Sequence, residues 1–198
     1  MTPSLILASQ SPRRKAFLSE LGYTFTCQSP DIDETLRPSE GPSDYVLRLS
    51  LEKANCIADK APKQSVVVGS DTCVVYQQRI LGKPETIEQC REYLSLLSGN
   101  THQVYTGVAV VQGSLSDTCV VCTHVEFDEI SEHEMDAYWH SGEPKDKAGA
   151  YGIQGIGGQF VKAIRGSYSA VVGLPLCETK ALLAHFNMYT SLQNAKIR

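Results

Sequence analysis

The chain has 198 residues, of which 42% are hydrophobic and 20% charged, with a net charge of −4. That is enough for one sizeable core, and the charge argues against non-specific binding to nucleic acid or to an anionic membrane. No apolar run approaches a bilayer span, Met1-Thr2-Pro3-Ser4 lacks the basic region of a signal peptide, and seven scattered cysteines read as reduced thiols in a cytoplasmic protein.

Leu5-Ile6-Leu7-Ala8 reads as a first strand. Ser9-Gln10-Ser11-Pro12-Arg13-Arg14-Lys15 then opens a helix, with Ser11 as N-cap and Pro12 at the first helical position. Phe17, Leu18 and Leu21 lie on one side of it, and Gly22 supplies a left-handed stop. Three cations in the first turn have the wrong sign for the helix dipole. Two readings stay open here, a phosphate cradle made of serines, N–H groups and arginines, and a solvent-facing basic turn. Thr24 to Gln28 is a short strand. The loop Ser29-Pro30-Asp31-Ile32-Asp33-Glu34 carries three carboxylates, either a solvated acidic loop or a source of hard oxygen ligands for a divalent ion. The next helix is expected from about Ser43 to Asp59, with Val46, Leu49, Ala54 and Ile57 on one stripe. Taken by itself, Lys53 reads as an exposed lysine of that helix.

Val66-Val67-Val68 reads as a strand buried on both faces that stops at Gly69 and presents Ser70, Asp71 and Thr72 at its carboxyl end, where open α/β sheets bind ligands. Cys73-Val74-Val75-Tyr76 and Ile80-Leu81 form a hairpin, followed by the turn Leu81-Gly82-Lys83-Pro84 with its single cation. Thr86-Ile87-Glu88-Gln89 is a capping box for a helix that turns Cys90, Tyr93, Leu94 and Leu97 inward and ends at Gly99-Asn100. Thr101 to Gln112 and Ser116 to Phe127 read as two long paired strands around Gly113-Ser114. Cys119-Val120-Val121-Cys122 has CxxC spacing, but alternation along a strand sends the two sulfurs to opposite faces. Ser131-Glu132-His133-Glu134 is a second capping box, and its helix stops at Gly142. The stretch from Gly149 to Gly158 holds the densest glycines, with neither a dinucleotide fingerprint nor a P-loop. Phe160 to Ile164 is a last strand and Leu176 to Phe186 a last helix. The tail from residue 187 to 198 lacks an apolar period and reads as frayed. With no linker or repeat, residues 1–198 read as one domain.

Several of these stretches together resemble the Maf family. Ser9-Gln10-Ser11-Pro12-Arg13-Arg14 is similar to its SxSPRR opening. Gly69-Ser70-Asp71-Thr72 with Gly82-Lys83-Pro84 is similar to its central block. Asp146 to Gly155 and Gly166-Ser167-Tyr168 through Val172-Gly173-Leu174-Pro175 resemble its last two. The likeness runs from about Leu5 to Phe186, with order and spacing kept. It implies an α/β fold of the Maf/ITPase-like kind, a mixed twisted sheet flanked by helices, in two lobes around a central cleft. It implies a nucleoside triphosphate pyrophosphatase that cleaves the α–β phosphoanhydride with Mg²⁺ or Mn²⁺, often as a homodimer.

Carried onto this sequence, the resemblance makes Asp71 the general base. Ser11, Arg13, Arg14, Lys53 and Lys83 hold the triphosphate, and Glu34 is a metal or water ligand. For Asp71, direct base and metal ligand both stay open. Thr72 and Gln154 match the pyrimidine subtype, which implies dTTP and UTP as substrates. Ser169-Ala170 stand where Asn is common in the family. An amide such as Gln154 can pair with a pyrimidine's carbonyl–NH edge as donor and acceptor, or can instead satisfy backbone within its own loop. The rival function is a nucleotide-binding regulator of cell division without turnover.

Overall fold

Three consecutive valines and a Gly-Ser-Asp sequence produce the central strand, and in the computed structural model, which describes residues 3–194, that strand is long. β3 spans Val66–Tyr76 and passes through Gly69 without a break. Asp71 therefore lies inside a strand, not at its end as the sequence suggests. Gly69 is there for packing. A Cβ on it would meet Ser50 O at 2.1 Å and Ala54 N at 2.8 Å, so glycine lets a helix press onto the strand.

The other strands are β1 (Leu5–Ala8), β2 (Phe25–Gln28), β4 (Arg79–Leu81), β5 (Thr101–Gln112), β6 (Leu115–Phe127) and β7 (Val161–Arg165). The sheet runs β2-β1-β3-β5-β6-β7, with β4 added to β3. It is mixed. β1 pairs in parallel with β2 (Leu5 opposite Phe25) and with β3 (Leu5 opposite Val66), whereas β4 pairs antiparallel with β3 and β7 with β6. The β3–β4 hairpin turns on Gln77 and Gln78, both at positive φ, the backbone of a type I′ turn.

The helices are α1 (Pro12–Glu20), α2 (Pro42–Ala58), α3 (Ile87–Leu97), α4 (Glu132–His140), α5 (Tyr168–Val172), α6 (Leu176–His185) and α7 (Ser191–Asn194). Caps explain their starts. Ser11 accepts from Arg14 N, and Thr86 from Gln89 N. Ser131 and Glu134 close a reciprocal capping box. At Thr86 the box is open, because the Gln89 side chain accepts from Glu85 N instead. Two elements depart from the sequence reading. α5 is too short to show an apolar period. The tail is ordered through residue 194: Met188 and Thr190 are buried, and Tyr23 donates to Met188 O. The last four residues of the expected frayed tail lie outside the described residues.

The chain divides into two compact units. The first comprises residues 3–71, 106–121 and 173–194, the second residues 72–105 and 122–172. In the first, α2 covers the sheet, with Ala54 and Ile57 packing on Ile6, Val67, Ala109 and Val111. Gly107 repeats the device of Gly69, since a Cβ there would meet Val46 O at 2.4 Å. The second unit has an aromatic core around Phe127, which meets His102, Tyr151 and Phe160 at centroid distances of 4.8, 4.7 and 6.2 Å.

Candidate active site

The first unit gathers six of the residues singled out in the sequence: Ser11, Arg13, Arg14, Glu34, Lys53 and Asp71. Lys53 is the pivot. It is only 7% exposed, against the reading of it as a surface lysine. The cause is the close approach of α2 to β3 at Gly69. Val46, Leu49, Ser50, Lys53, Ala54 and Ile57 form the buried face of the helix, and Lys53 sits one turn beyond Ser50 and Leu49 on that face. Its ammonium lies 2.6 Å from Asp71 Oδ1 and 2.7 Å from Glu34 Oε1. Asp71 is itself 8% exposed. A buried ion pair of this kind persists only when its geometry is good.

Of the three acids in the 29–34 loop, Glu34 is the one that reaches Lys53. Asp33 turns back to accept from Thr35 N at 2.9 Å, and Asp31 makes no ion pair with the described residues. The Glu34 segment is fixed by α2 through its backbone. Tyr45 donates to Glu34 O at 2.9 Å, and Arg48 Nη2 to Thr35 O at 3.1 Å. Arg48 is in turn clamped by both Glu40 oxygens at 2.5 and 2.7 Å. The hydrogen bond from Arg48 holds Glu40 down at about 2, despite the opposing effect of burial.

At the β1–α1 turn, Arg13 and Arg14 differ. Arg14 Nε donates to Gly173 O at 2.9 Å, and Ser70 Oγ donates to the same carbonyl at 3.0 Å. Ser9 Oγ accepts from Ser11 N. Burial, with the like charge of Arg13, lowers the Arg14 guanidinium below its ordinary value against the pull of Asp71 and Glu34. Arg13 makes no hydrogen bond or ion pair with the described residues. The sequence points to Ser9 in the basic turn and to Ser70 beside Asp71, but the Gly173 carbonyl, the acceptor that Arg14 and Ser70 share, escaped the sequence reading. The available signal was the position of Ser70 inside a buried strand, where a hydroxyl needs a partner.

The second unit holds Thr72, Lys83 and Gln154. Thr72 is half-buried on β3. The loops of Lys83 and Gln154 are tied together: Gly149, at φ +67°, donates from its N–H to Gly82 O at 3.0 Å, and a Cβ on Gly149 would strike Val74 at 2.7 Å. Lys83 and Gln154 are exposed and make no hydrogen bond or ion pair with the described residues. That argues against the view of Gln154 as an amide satisfying its own backbone. The glycine stretch is a series of tight 3₁₀ turns, one at Ala148–Ala150 and one at Ile156–Phe160.

Among the described residues, no group of three or more His, Cys, Asp or Glu converges to hold a metal. Two carboxylates, Glu34 and Asp71, do converge on one cation, the Lys53 ammonium. That donor set fits Mg²⁺, which takes one or two carboxylates and fills its remaining positions with water and substrate phosphate oxygens. Among the described residues no helix is long and apolar enough to cross a membrane, and none of the seven cysteines is in a disulfide.

The chain is similar to known proteins along most of its length. A family model described as "Maf-like protein" matches residues 4–186. The chain is 54% identical to a dTTP/UTP pyrophosphatase of Colwellia psychrerythraea over 192 residues, covering 95% of this chain and 91% of that one. It is 53% identical to a protein of the same name from Vibrio parahaemolyticus, over 92% of this chain and 97% of the other. A dTTP/UTP pyrophosphatase from Vibrio cholerae is 50% identical, over the same shares.

Proposed function

The chain belongs to the Maf family, and from that premise we propose that it is a nucleoside triphosphate pyrophosphatase acting on dTTP and UTP. Water attacks the α-phosphorus, the bond to the bridging oxygen of the β-phosphate breaks, and a nucleoside monophosphate and pyrophosphate leave. The observation that carries this reading is the buried Lys53 held between Asp71 and Glu34. A carboxylate and an ammonium kept out of bulk water act on a reacting group more strongly than they would in solvent.

Asp71 takes the proton of the attacking water. Lys53 and Arg14 are anchored by their own contacts, so they offer positive charge to phosphate oxygens without reorganising as the charge shifts. Arg13 and Lys83 make no ion pair with the described residues and are further phosphate ligands, Arg13 bidentate and Lys83 a point charge. Ser11 contributes the N-terminus of α1, where N–H groups favour an anion. Glu34 and Asp71 would hold the divalent ion, Mg²⁺ or Mn²⁺, which when bound supplies charge against the phosphate oxygens. Gln154 reads the carbonyl–NH edge of the pyrimidine, with Thr72 beside Asp71 on the strand. A cytoplasmic location is supported by seven cysteines that form no disulfide.

The test is a pyrophosphate-release assay with Mg²⁺, comparing kcat/KM for dTTP, UTP, CTP, ATP, GTP and 7-methyl-GTP. dTTP and UTP should lead the panel. A preference for ATP or 7-methyl-GTP would overturn the choice of base, and no pyrophosphate from any nucleotide would overturn the reaction.

A further inference from the structure

The turn that carries Gln154 is gripped at both ends by two side chains of the second unit. Gly155 N–H closes the turn onto Gly152 O at 3.2 Å, leaving Ile153 and Gln154 at its tip. On the entry side, Gly152 N–H donates to the Tyr138 hydroxyl at 3.1 Å. On the exit side, Ile156 N–H and Gly157 N–H donate to Glu143 Oε2 and Oε1 at 2.8 and 2.9 Å. Tyr138 donates its proton to Glu143 Oε1 at 2.8 Å, which joins the two grips into one clamp.

The glycines of the turn are shaped around this clamp. A Cβ on Gly155 would lie 2.2 Å from Glu143 Oε2, and one on Gly157 would lie 2.4 Å from the Tyr138 hydroxyl. Two of the glycines that make this stretch so dense thus leave room for a carboxylate and a phenol. The clamp is rigid at its base. Tyr138 is 2% exposed and stacks edge-on against Phe160 at 5.2 Å, and Tyr151, just before the turn, packs edge-on against Phe127. Burial raises Glu143, but the two N–H groups, the Tyr138 hydroxyl and the charge of Lys147 outweigh it and bring its pKa below the ordinary carboxylate value. The grip is therefore charge-assisted at neutral pH.

We propose that Glu143, working through Tyr138 and the N–H groups of Ile156 and Gly157, is a positioning residue for base selection that sets the angle at which the Gln154 amide meets the pyrimidine edge. This rests on the reading of Gln154 as the base-contacting residue. A hydrogen-bonding amide discriminates only when its direction is fixed, because a swivelling amide pairs with a purine edge as readily as with a pyrimidine.

The experiment measures kcat and KM on dTTP and GTP for Glu143→Gln, Tyr138→Phe, Gln154→Ala and the Glu143→Gln/Gln154→Ala double variant, with melting curves alongside. Glu143→Gln keeps the volume but turns an NH₂ group toward an N–H donor. The dTTP:GTP ratio of kcat/KM should fall roughly 10-fold, about one hydrogen bond's worth, mainly through a higher KM for dTTP. Tyr138→Phe should shift the ratio the same way, and it decides alone if Glu143→Gln does not fold. Gln154→Ala should lower the ratio at least as far, and the double variant no further. If Gln154→Ala flattens the ratio while the clamp variants lower both nucleotides alike, or change neither, the clamp is only structural and the proposal is overturned. If Gln154→Ala leaves the ratio unchanged, the base-reading role of Gln154 fails and takes this inference with it.

Discussion

In the first unit Lys53, Asp71, Glu34 and Arg14 are anchored by contacts of their own, with Arg13 the exception, whereas in the second the side chains of Lys83 and Gln154 are not anchored by any described residue. Lys53 is buried between Asp71 and Glu34, and Arg14 is tied to the Gly173 carbonyl. Lys83 and Gln154 stand exposed on loops whose backbones are fixed but whose side chains make no hydrogen bond or ion pair with the described residues. The difference suits two tasks. Groups that act on developing charge must already be oriented before the reaction. Groups that recognise a substrate edge need unsatisfied donors and acceptors to offer it. The proposed division is chemistry in the first unit, with recognition and one phosphate contact in the second.

The harshest way to break the contrast is to remove the divalent ion. Excess chelator should abolish pyrophosphate release and addition of Mg²⁺ should restore it, because Glu34 and Asp71 are hard oxygen donors; hydrolysis that persists in chelator contradicts this. Next is Gly69→Ala. The added methyl meets backbone atoms at 2.1 and 2.8 Å, so α2 must lift from β3 and draw Lys53 off Asp71. A loss of roughly 3 kcal/mol in denaturant unfolding is expected, and wild-type stability would mean that the helix position is not set by this glycine. Third, Lys83→Ala should lower kcat/KM roughly 10²-fold, the usual effect of losing one transition-state contact, with little change in melting temperature because Lys83 is exposed and its side chain makes no hydrogen bond or ion pair with the described residues. Full activity in this variant would remove Lys83 from the phosphate ligands.

The smallest effect separates the units by pH. Burial pushes His102 of the second unit down to about 4 from its ordinary 6.5. The unfolded chain therefore binds the extra proton first, and stability fully present above pH 6.5 is lost as pH falls toward 4. Glu40 of the first unit, held at about 2 by Arg48, contributes stability present above 4.5 and lost only as pH falls toward 2. Melting followed by fluorescence of Trp139, which lies in the second unit, should drop by a few degrees between pH 6.5 and 4. His102→Gln should flatten that slope; an unchanged slope would place the sensitivity elsewhere.

Much of this was legible in local chemistry. Ser11, Pro12 and Gly22 bound α1 because caps and a left-handed stop depend on single residues. Asp71 was conspicuous because three valines led to it. The burial of Lys53 was not legible, since it depends on a tertiary approach at Gly69, and a glycine in a strand looks the same whether it ends the strand or admits a helix. The end of β3 was misplaced for that reason. Glu143 went unnoticed as well. Its meaning lies in glycines twelve and fourteen residues later, whose missing side chains show what they make room for only once the chain has folded.

The most direct test of the division of labour is Asp71→Asn, with nucleotide binding followed by calorimetry and turnover by pyrophosphate release. The replacement keeps size and a hydrogen-bonding oxygen while removing the base. Turnover should be lost, and dTTP should still bind in preference to GTP, because recognition resides in groups this change does not touch. Turnover near that of the unaltered protein would contradict the assignment of Asp71, and lost preference for dTTP would contradict the separation of chemistry from recognition.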